Sequence, residues 1–370
     1  MDIQLSQFQN IPLVVNALKV LMTGLLAFVL AFFVTPLWTY ILYKYKIGIK
    51  IKEKSVNGDQ LTFVNRLHAG KQGTPTMGGV IIWVPILLLV LSSHYIFPFI
   101  AEWTDMNFIA RLDFFSRAQV WLPLFALVIA GILGLFDDYM SVRGCGTNKG
   151  GGMRFAFRFW WLFIIASAGA WWFYSKLQWD QIHVPAVGDF SIGLWYIPLF
   201  ICVILFAAIS SNETDGLDGL DGGVLLVAFG SFALIAFMQN KIDLAAFCAA
   251  IAGALLAFLW FNIYPARFFM GDTGATALGT TLGVVAMLTN SSIILFIIVF
   301  IYVLESGSVA IQLLSKRFFG RKVFLAAPLH HHFEAKGWEE PKIVMRAWIF
   351  TAMTALIGLI IGILGMGKLH

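Results

Sequence analysis

Charge is scarce in this chain. Of 370 residues, 12% are Asp, Glu, Lys or Arg, while hydrophobic types make up 59%. Soluble domains carry about 25% charged residues, so the deficit excludes an ordinary soluble globule and points to a lipid-embedded protein. Cysteine is scarcer still. Cys145, Cys202 and Cys248 are odd in number and lack CxxC spacing, which excludes a disulfide framework and a cysteine-built zinc site. The glycine-rich stretch 144–152 contains Lys149 but has no Gly-Lys-Ser/Thr ending, so it is not a Walker A loop. No basic residue precedes Lys19 and no small-residue cleavage site follows the first apolar run; that run is expected to be retained as a span. The net charge of +5 suits nucleic acid in principle. The basic residues, however, gather in a few loops between apolar runs instead of forming a basic face, so no nucleic-acid partner is expected.

Long apolar runs are abundant. A bilayer span needs about 20 mostly apolar residues, and ten segments qualify: roughly 16–43, 76–98, 118–138, 157–175, 190–210, 221–238, 244–264, 273–289, 291–314 and 346–366. The expected fold is an all-α integral membrane protein of about ten transmembrane helices, a single polytopic domain over residues 1–370. Segments 221–238 and 273–289 are short and rich in Gly, Ala and Thr, which suits interior helices whose neighbours approach closely. Nineteen of the 25 Lys and Arg residues fall in loops on one side of this arrangement. The positive-inside rule places that side in the cytoplasm and both termini outside. The cytoplasmic loops are then about 44–75, 139–158, 211–220, 265–272 and 315–345, and the outer segment 99–117 is expected to lie along the interface.

The acids collect on the same cytoplasmic side. Asp137 and Asp138 close the third apolar run. As a polar helix end they would pair with Arg143 or Arg154; as neighbouring carboxylates they would attract a cation or hold a proton. In 212–223, Asp215, Asp218 and Asp221 recur every three residues among glycines. That spacing is expected to put all three on one face of a helical start, capped by Asn212 or Thr214, although Asp and Gly also build ordinary turns. Asp272 sits between Gly271 and Gly274 at what reads as a helix N-terminus, where amides favour anions. Carboxylates at the ends of membrane spans are costly unless they serve something, and a hard divalent cation with a phosphate is the natural partner.

Three further motifs face the same way. Lys71 leads into Gly-Thr-Pro-Thr-Met-Gly-Gly79, where Pro75 suits a helix start and Lys71 could reach a phosphate. Phe268 or Phe269 belongs to the core or offers a flat face to a nucleobase. His330, His331 and His332 are consecutive; adjacent histidines do not aim at one ion easily, so contact with a phosphate fits them better than zinc. Glu305, deep in the ninth span, is an intramembrane acid without an evident partner.

Taken together, Lys71 through Gly79, Phe136-Asp-Asp-Tyr139, Asn212 through Leu220, Trp260-Phe-Asn-Ile-Tyr-Pro-Ala266, Phe269-Met-Gly-Asp272 and Ala327-Pro-Leu-His-His-His332 resemble the phospho-N-acetylmuramoyl-pentapeptide transferase family. These motifs occur in the family's order from about residue 44 onward. The aspartate motifs are shared by the wider polyprenyl-phosphate hexosamine-1-phosphate transferases. The Thr-Pro-Thr-Met-Gly-Gly and triple-histidine motifs point to the muramoyl-pentapeptide branch.

The resemblance implies a homodimer in the bacterial inner membrane with a cytoplasmic cleft. It would move phospho-MurNAc-pentapeptide from UDP-MurNAc-pentapeptide to undecaprenyl phosphate, giving lipid I and UMP with Mg²⁺. By the same resemblance Asp137, Asp138, Asp272 and His331 are catalytic, and Asp272 with Asp138 holds the metal. Lys71, Thr76, Lys149, Asn212, Asp215, Asp218, Asn262, Phe269, His330 and His332 bind substrate, Phe269 lying under the uracil. The chain departs from the family pattern at Glu213 (usually Leu), Asp221 (usually small and apolar) and Ile209 (commonly Asn). A second lysine expected near position 156 is replaced by Ala156 between Arg154 and Arg158, which leaves open which basic residue meets the pyrophosphate. The rival readings are a sister transferase using UDP-GlcNAc and a secondary transporter. The latter places such acids near the midplane, not at helix ends.

Overall fold

The computed structural model describes residues 2–45, 47–48, 71, 73–96, 120–145 and 152–366, with 99, 102 and 115 as single residues. Lys149 and nearly all of the segment 99–117 lie outside the described residues. A backbone in lipid must satisfy its own polar groups, and helices do so within one segment; the apolar runs accordingly become helices. In chain order these are α1 (Asp2–Lys44), α2 (Val80–Leu91, prolonged by a π-turn at Ser92–Ile96), α3 (Trp121–Arg143) and α4 (Phe155–Ser175). There follow α5 (Tyr196–Thr214), α6 (Leu220–Met238), α7 (Ile242–Asn262) and α8 (Asp272–Leu288). The chain ends with α9 (Ser292–Ile298), α10 (Phe300–Phe319), the short α11 (Leu329–Ala335) and α12 (Glu340–Met366).

Among the described residues seven helices are long and apolar enough to cross a membrane, or eight when the bent pair α9–α10 counts as one span. The shorter α2 and α8 coincide with the two remaining expected segments. One expected span differs in form. Residues 291–314 do not run straight, because α9 and α10 meet at Val299 with an 82° bend. A two-stranded antiparallel hairpin, β1 (Gln181–Val184) and β2 (Gly188–Ser191), joins α4 to α5; it was not foreseen.

At the centre stands α8, in which every residue from Thr273 to Leu288 is buried. It packs between α3 and α5, while α7 lies against α1 and α6. Small side chains permit these approaches. At Gly134 on α3 an added Cβ would run into the backbone carbonyl of Asp272. Gly134 therefore sets how near α3 comes to the start of α8. Gly134→Ala is expected to push Asp272 aside and lower turnover by about 100-fold, the scale of a 1 Å misplacement, with the chain still recoverable from membranes. Parallel turnover and yield measurements check this.

Candidate active site

Asp137 and Asp138 lie on the last turns of α3 and are buried there, 4% and 7% exposed. Instead of lying solvated at a helix end, both are engaged by the neighbouring helices. Asp138 turns to the N-terminus of α8. Its Oδ2 accepts the Thr273 amide at 3.0 Å and the Thr273 hydroxyl at 2.6 Å, and its Oδ1 accepts the Asp272 amide at 3.2 Å. The first amides of a helix have no intrahelical partner, so Asp138 acts as a cap supplied from another helix. Asp137 faces the opposite way: Oδ1 takes the Met153 amide at 2.5 Å and Oδ2 faces Arg158 Nη1 at 3.3 Å. The same Nη1 donates to Asp272 Oδ2 at 2.7 Å, and the Asn212 side-chain amide donates to Asp272 Oδ1. Three helices and the start of a fourth thus converge on two carboxylates and one guanidinium.

Backbone pairing brings the loop before α8 into place. Phe269 N donates to Pro75 O at 2.8 Å, Gly78 N to Phe269 O at 2.8 Å and Gly79 N to Met270 O at 3.0 Å. Pro75 is therefore not at a helix start: α2 begins at Val80, and Pro75 forms a bridge with Gly48. Gly271 has φ of 71° and lies so close to Thr76 Oγ1 and Asp138 Oδ2 that a Cβ would strike both, so only glycine fits. The pairing seats Thr76, 5% exposed, beside Gly271 and Asp138.

The Asp215, Asp218, Asp221 series does not share a helix face. Asp215 follows the end of α5, Asp218 lies in the turn and Asp221 is in the first turn of α6. Gly219, with φ of 79°, opens α6 without a side-chain cap, so neither Asn212 nor Thr214 caps it; Asn212 reaches Asp272 and Thr214 bonds Ser210 O. Each acid serves a different neighbour. Asp215 Oδ2 accepts the Gly271 amide at 3.0 Å; desolvation, then the nearby Asp221, holds its carboxyl well above the usual range. Asp218 pairs with Lys71 Nζ at 2.7 Å and accepts the Ala266 amide at 2.9 Å. Asp221 accepts from the Tyr302 hydroxyl at 2.5 Å and the Ser211 hydroxyl at 2.9 Å.

Around Asp218 a second cluster forms. Lys71 also pairs with Glu340 at 2.6 Å and lies over the Phe269 ring, 5.6 Å from its centroid. Phe268 is core, fully buried, whereas Phe269 is only partly buried. Asn262 accepts the Gly219 amide at 3.0 Å and donates to Phe268 O at 2.9 Å, so it staples the α7 end to the aspartate turn. Glu340 had no motif to reveal it; its signal was a charge opening the last span.

The three histidines diverge, as adjacent side chains must. His330 Nδ1 meets Glu305 Oε2 at 3.1 Å and its amide donates to the same oxygen at 3.2 Å. His331 Nδ1 meets Glu334 at 2.6 Å, and His332 Nδ1 accepts the Leu325 amide at 3.2 Å. Glu305 thereby gains its partner, because the bend at Val299 redirects α10 toward α11. His330 in turn sits against Gly216, which joins the histidine turn to the aspartate turn.

Beside Arg158 lies a cavity of about 190 Å³ between α4 and α5, walled by Phe155, Phe159, Leu162 and Ala208 and edged by Asn212 and Glu213. Among the described residues no group of three His, Cys, Asp or Glu side chains is arranged to hold a metal ion. Arg158 stands between the two carboxylates that face one another, and Asp138 is turned to the helix end. Arg158 itself was visible in the sequence only as a flank of Ala156.

Residues 120–290 match the model of glycosyl transferase family 4, and residues 71–82 match signature 1 of the phospho-N-acetylmuramoyl-pentapeptide transferases. The phospho-N-acetylmuramoyl-pentapeptide-transferases of Chloroflexus aurantiacus and Chloroflexus aggregans are each 34% identical to it over 360 residues, covering 94% of this chain and 90% of theirs. The signature coincides with the Lys71–Gly79 segment that backbone pairing seats beside Asp272. With identity carried across almost the whole of both chains, this protein belongs to the phospho-N-acetylmuramoyl-pentapeptide-transferase family.

Proposed function

We propose that this chain transfers phospho-MurNAc-pentapeptide from UDP-MurNAc-pentapeptide to undecaprenyl phosphate, releasing UMP and forming lipid I for peptidoglycan. The observation that carries the reading is the joining of two clusters through the Asp215–Gly271 bond. One cluster, Asp137, Asp272 and Arg158, suits phosphate chemistry; the other, Lys71, Asp218 and the open face of Phe269, suits a nucleotide. The apolar cavity at Arg158 suits the isoprenoid end of a lipid phosphate.

An oxygen of the acceptor phosphate attacks the sugar-bearing phosphorus of the donor; the bond to the nucleotide-side oxygen breaks and UMP departs. Both reactants are anions, so charge neutralisation and positioning supply most of the catalysis. Mg²⁺ takes one or two carboxylates plus phosphate oxygens, and the donor set here fits it: Asp272 with Asp137, or with the singly bonded Oδ1 of Asp138. When bound, the ion would polarise phosphoryl oxygens. Asp137 orients the acceptor phosphate or takes its proton. Lys71 and Phe269 hold the uridine end, with Asp218 and Asn262 keeping that wall in place and Thr76 at its edge. The triple-histidine turn flanks the sugar-phosphate side. We place this site at the cytoplasmic face of the inner membrane, with both termini outside, on the distribution of Lys and Arg; a homodimer follows from the family alone.

Purified protein supplied with undecaprenyl phosphate is expected to release UMP from UDP-MurNAc-pentapeptide in the presence of Mg²⁺ and not after chelation. UDP-GlcNAc run in parallel should give no comparable release. Preference for the smaller sugar nucleotide would move the chain to the sister activity, and no release with either would remove the transfer reading.

A further inference from the structure

We infer that Arg158 is a built-in counter-cation: it holds the place between Asp137 and Asp272 until a divalent ion takes those carboxylates, and it then turns to Glu213 and the acceptor phosphate in the adjoining cavity. The inference rests on the metal reading above and goes beyond it by naming what the ion must displace. Two carboxylates facing one another repel, and at close range the repulsion is large in a low-dielectric site. Arg158 is permanently charged, and one of its nitrogens touches both, at 3.3 Å from Asp137 and 2.7 Å from Asp272. The metal-free pair is therefore partly compensated, one positive charge against two carboxylates, and a dication has to compete for oxygens that are in use.

The displaced guanidinium has somewhere to go. Arg158 lines the cavity of about 190 Å³, far more than the roughly 10–15 Å³ that one water needs on the same measure. Glu213, on the same lining, is held by Ser306 at 2.6 Å, and Ser306 is steadied in turn by Ser210 at 2.8 Å. The arrangement therefore offers an arginine on the two carboxylates and a second acid on the same lining to receive it. A guanidinium at that position also presents a fork to a phosphate, which identifies the basic residue the sequence left open.

Binding of Mn²⁺, standing in for Mg²⁺ and counted by electron paramagnetic resonance without substrates, tests this. Arg158→Met is expected to tighten Mn²⁺ binding about tenfold and to raise the KM for the lipid phosphate more than that for the nucleotide. Glu213→Leu is expected to weaken Mn²⁺ binding severalfold, because Arg158 loses its alternative partner. In the Arg158→Met background the same change should do almost nothing. Ordinary long-range electrostatics would give additive effects, so additivity in this cycle, or unchanged Mn²⁺ affinity in Arg158→Met, overturns the inference. Should Arg158→Met fail to fold, Arg158→Lys replaces it, with a smaller shift of the same sign expected and no shift overturning the exchange. Wild-type protein and both variants all failing to bind Mn²⁺ would overturn the metal reading, and this exchange with it.

Discussion

Asp272→Asn is expected to lower turnover by on the order of 10³-fold, the scale lost when one preorganised electrostatic group facing a developing charge is removed. The variant keeps the shape of the side chain, and its carbonyl oxygen can still face Arg158. What disappears is the anionic charge that a hard cation needs. The start of α8 should survive, because its amides are capped by Asp138 and not by Asp272. Nucleotide affinity should change little, since Lys71 and Phe269 belong to the other cluster. Turnover and donor KM measured together check this: a large fall in kcat with KM nearly constant is expected. Retention of more than about a tenth of wild-type turnover would remove Asp272 from the chemistry.

Loss of the Glu305 carboxylate should show first in stability. Glu305 and His330 are 3% and 1% exposed, and the one carboxylate oxygen serves both the ring and the amide of His330. Removing the shared acceptor leaves the buried ring and amide of His330 unsatisfied, at a cost of about 1–3 kcal/mol. Glu305→Ala is therefore expected to lower the thermal unfolding midpoint in detergent strongly. Glu305→Gln, which retains an acceptor oxygen, should fall between it and the wild type. Activity should follow stability in both variants, since the contact anchors α11 to α10 and places His330 against Gly216. An unfolding midpoint for Glu305→Ala within a degree or two of the wild type would show that α11 is held by other contacts.

How much of this was readable beforehand depends on the kind of interaction. The helices were legible because a membrane segment announces itself by length and apolarity, and the Asp137, Asp138 and Asp272 motifs were legible because acids are rare in such a chain. Partners were not legible. Asp138 looked like half of a carboxylate pair and instead caps α8; Asp215, Asp218 and Asp221 looked like one helix face and instead serve Gly271, Lys71 and Tyr302 in turn. The spacing of three was real, but Gly219 with its positive φ starts a new helix between the second and third acid. The bend within the ninth span was not legible either, since hydropathy does not register a break at Val299.

Local chemistry along the chain was enough to say that this protein lives in lipid, that its acids and bases gather at one end of its helices, and which family it resembles. Hydrophobicity and charge act on each segment separately, so they can be read one segment at a time. Which carboxylate meets Arg158, which one caps a helix, and what answers Glu305 were settled by contacts between residues up to 135 positions apart. Close packing at Gly134 and Gly271 allows one arrangement of those groups, and no single stretch of residues contains it.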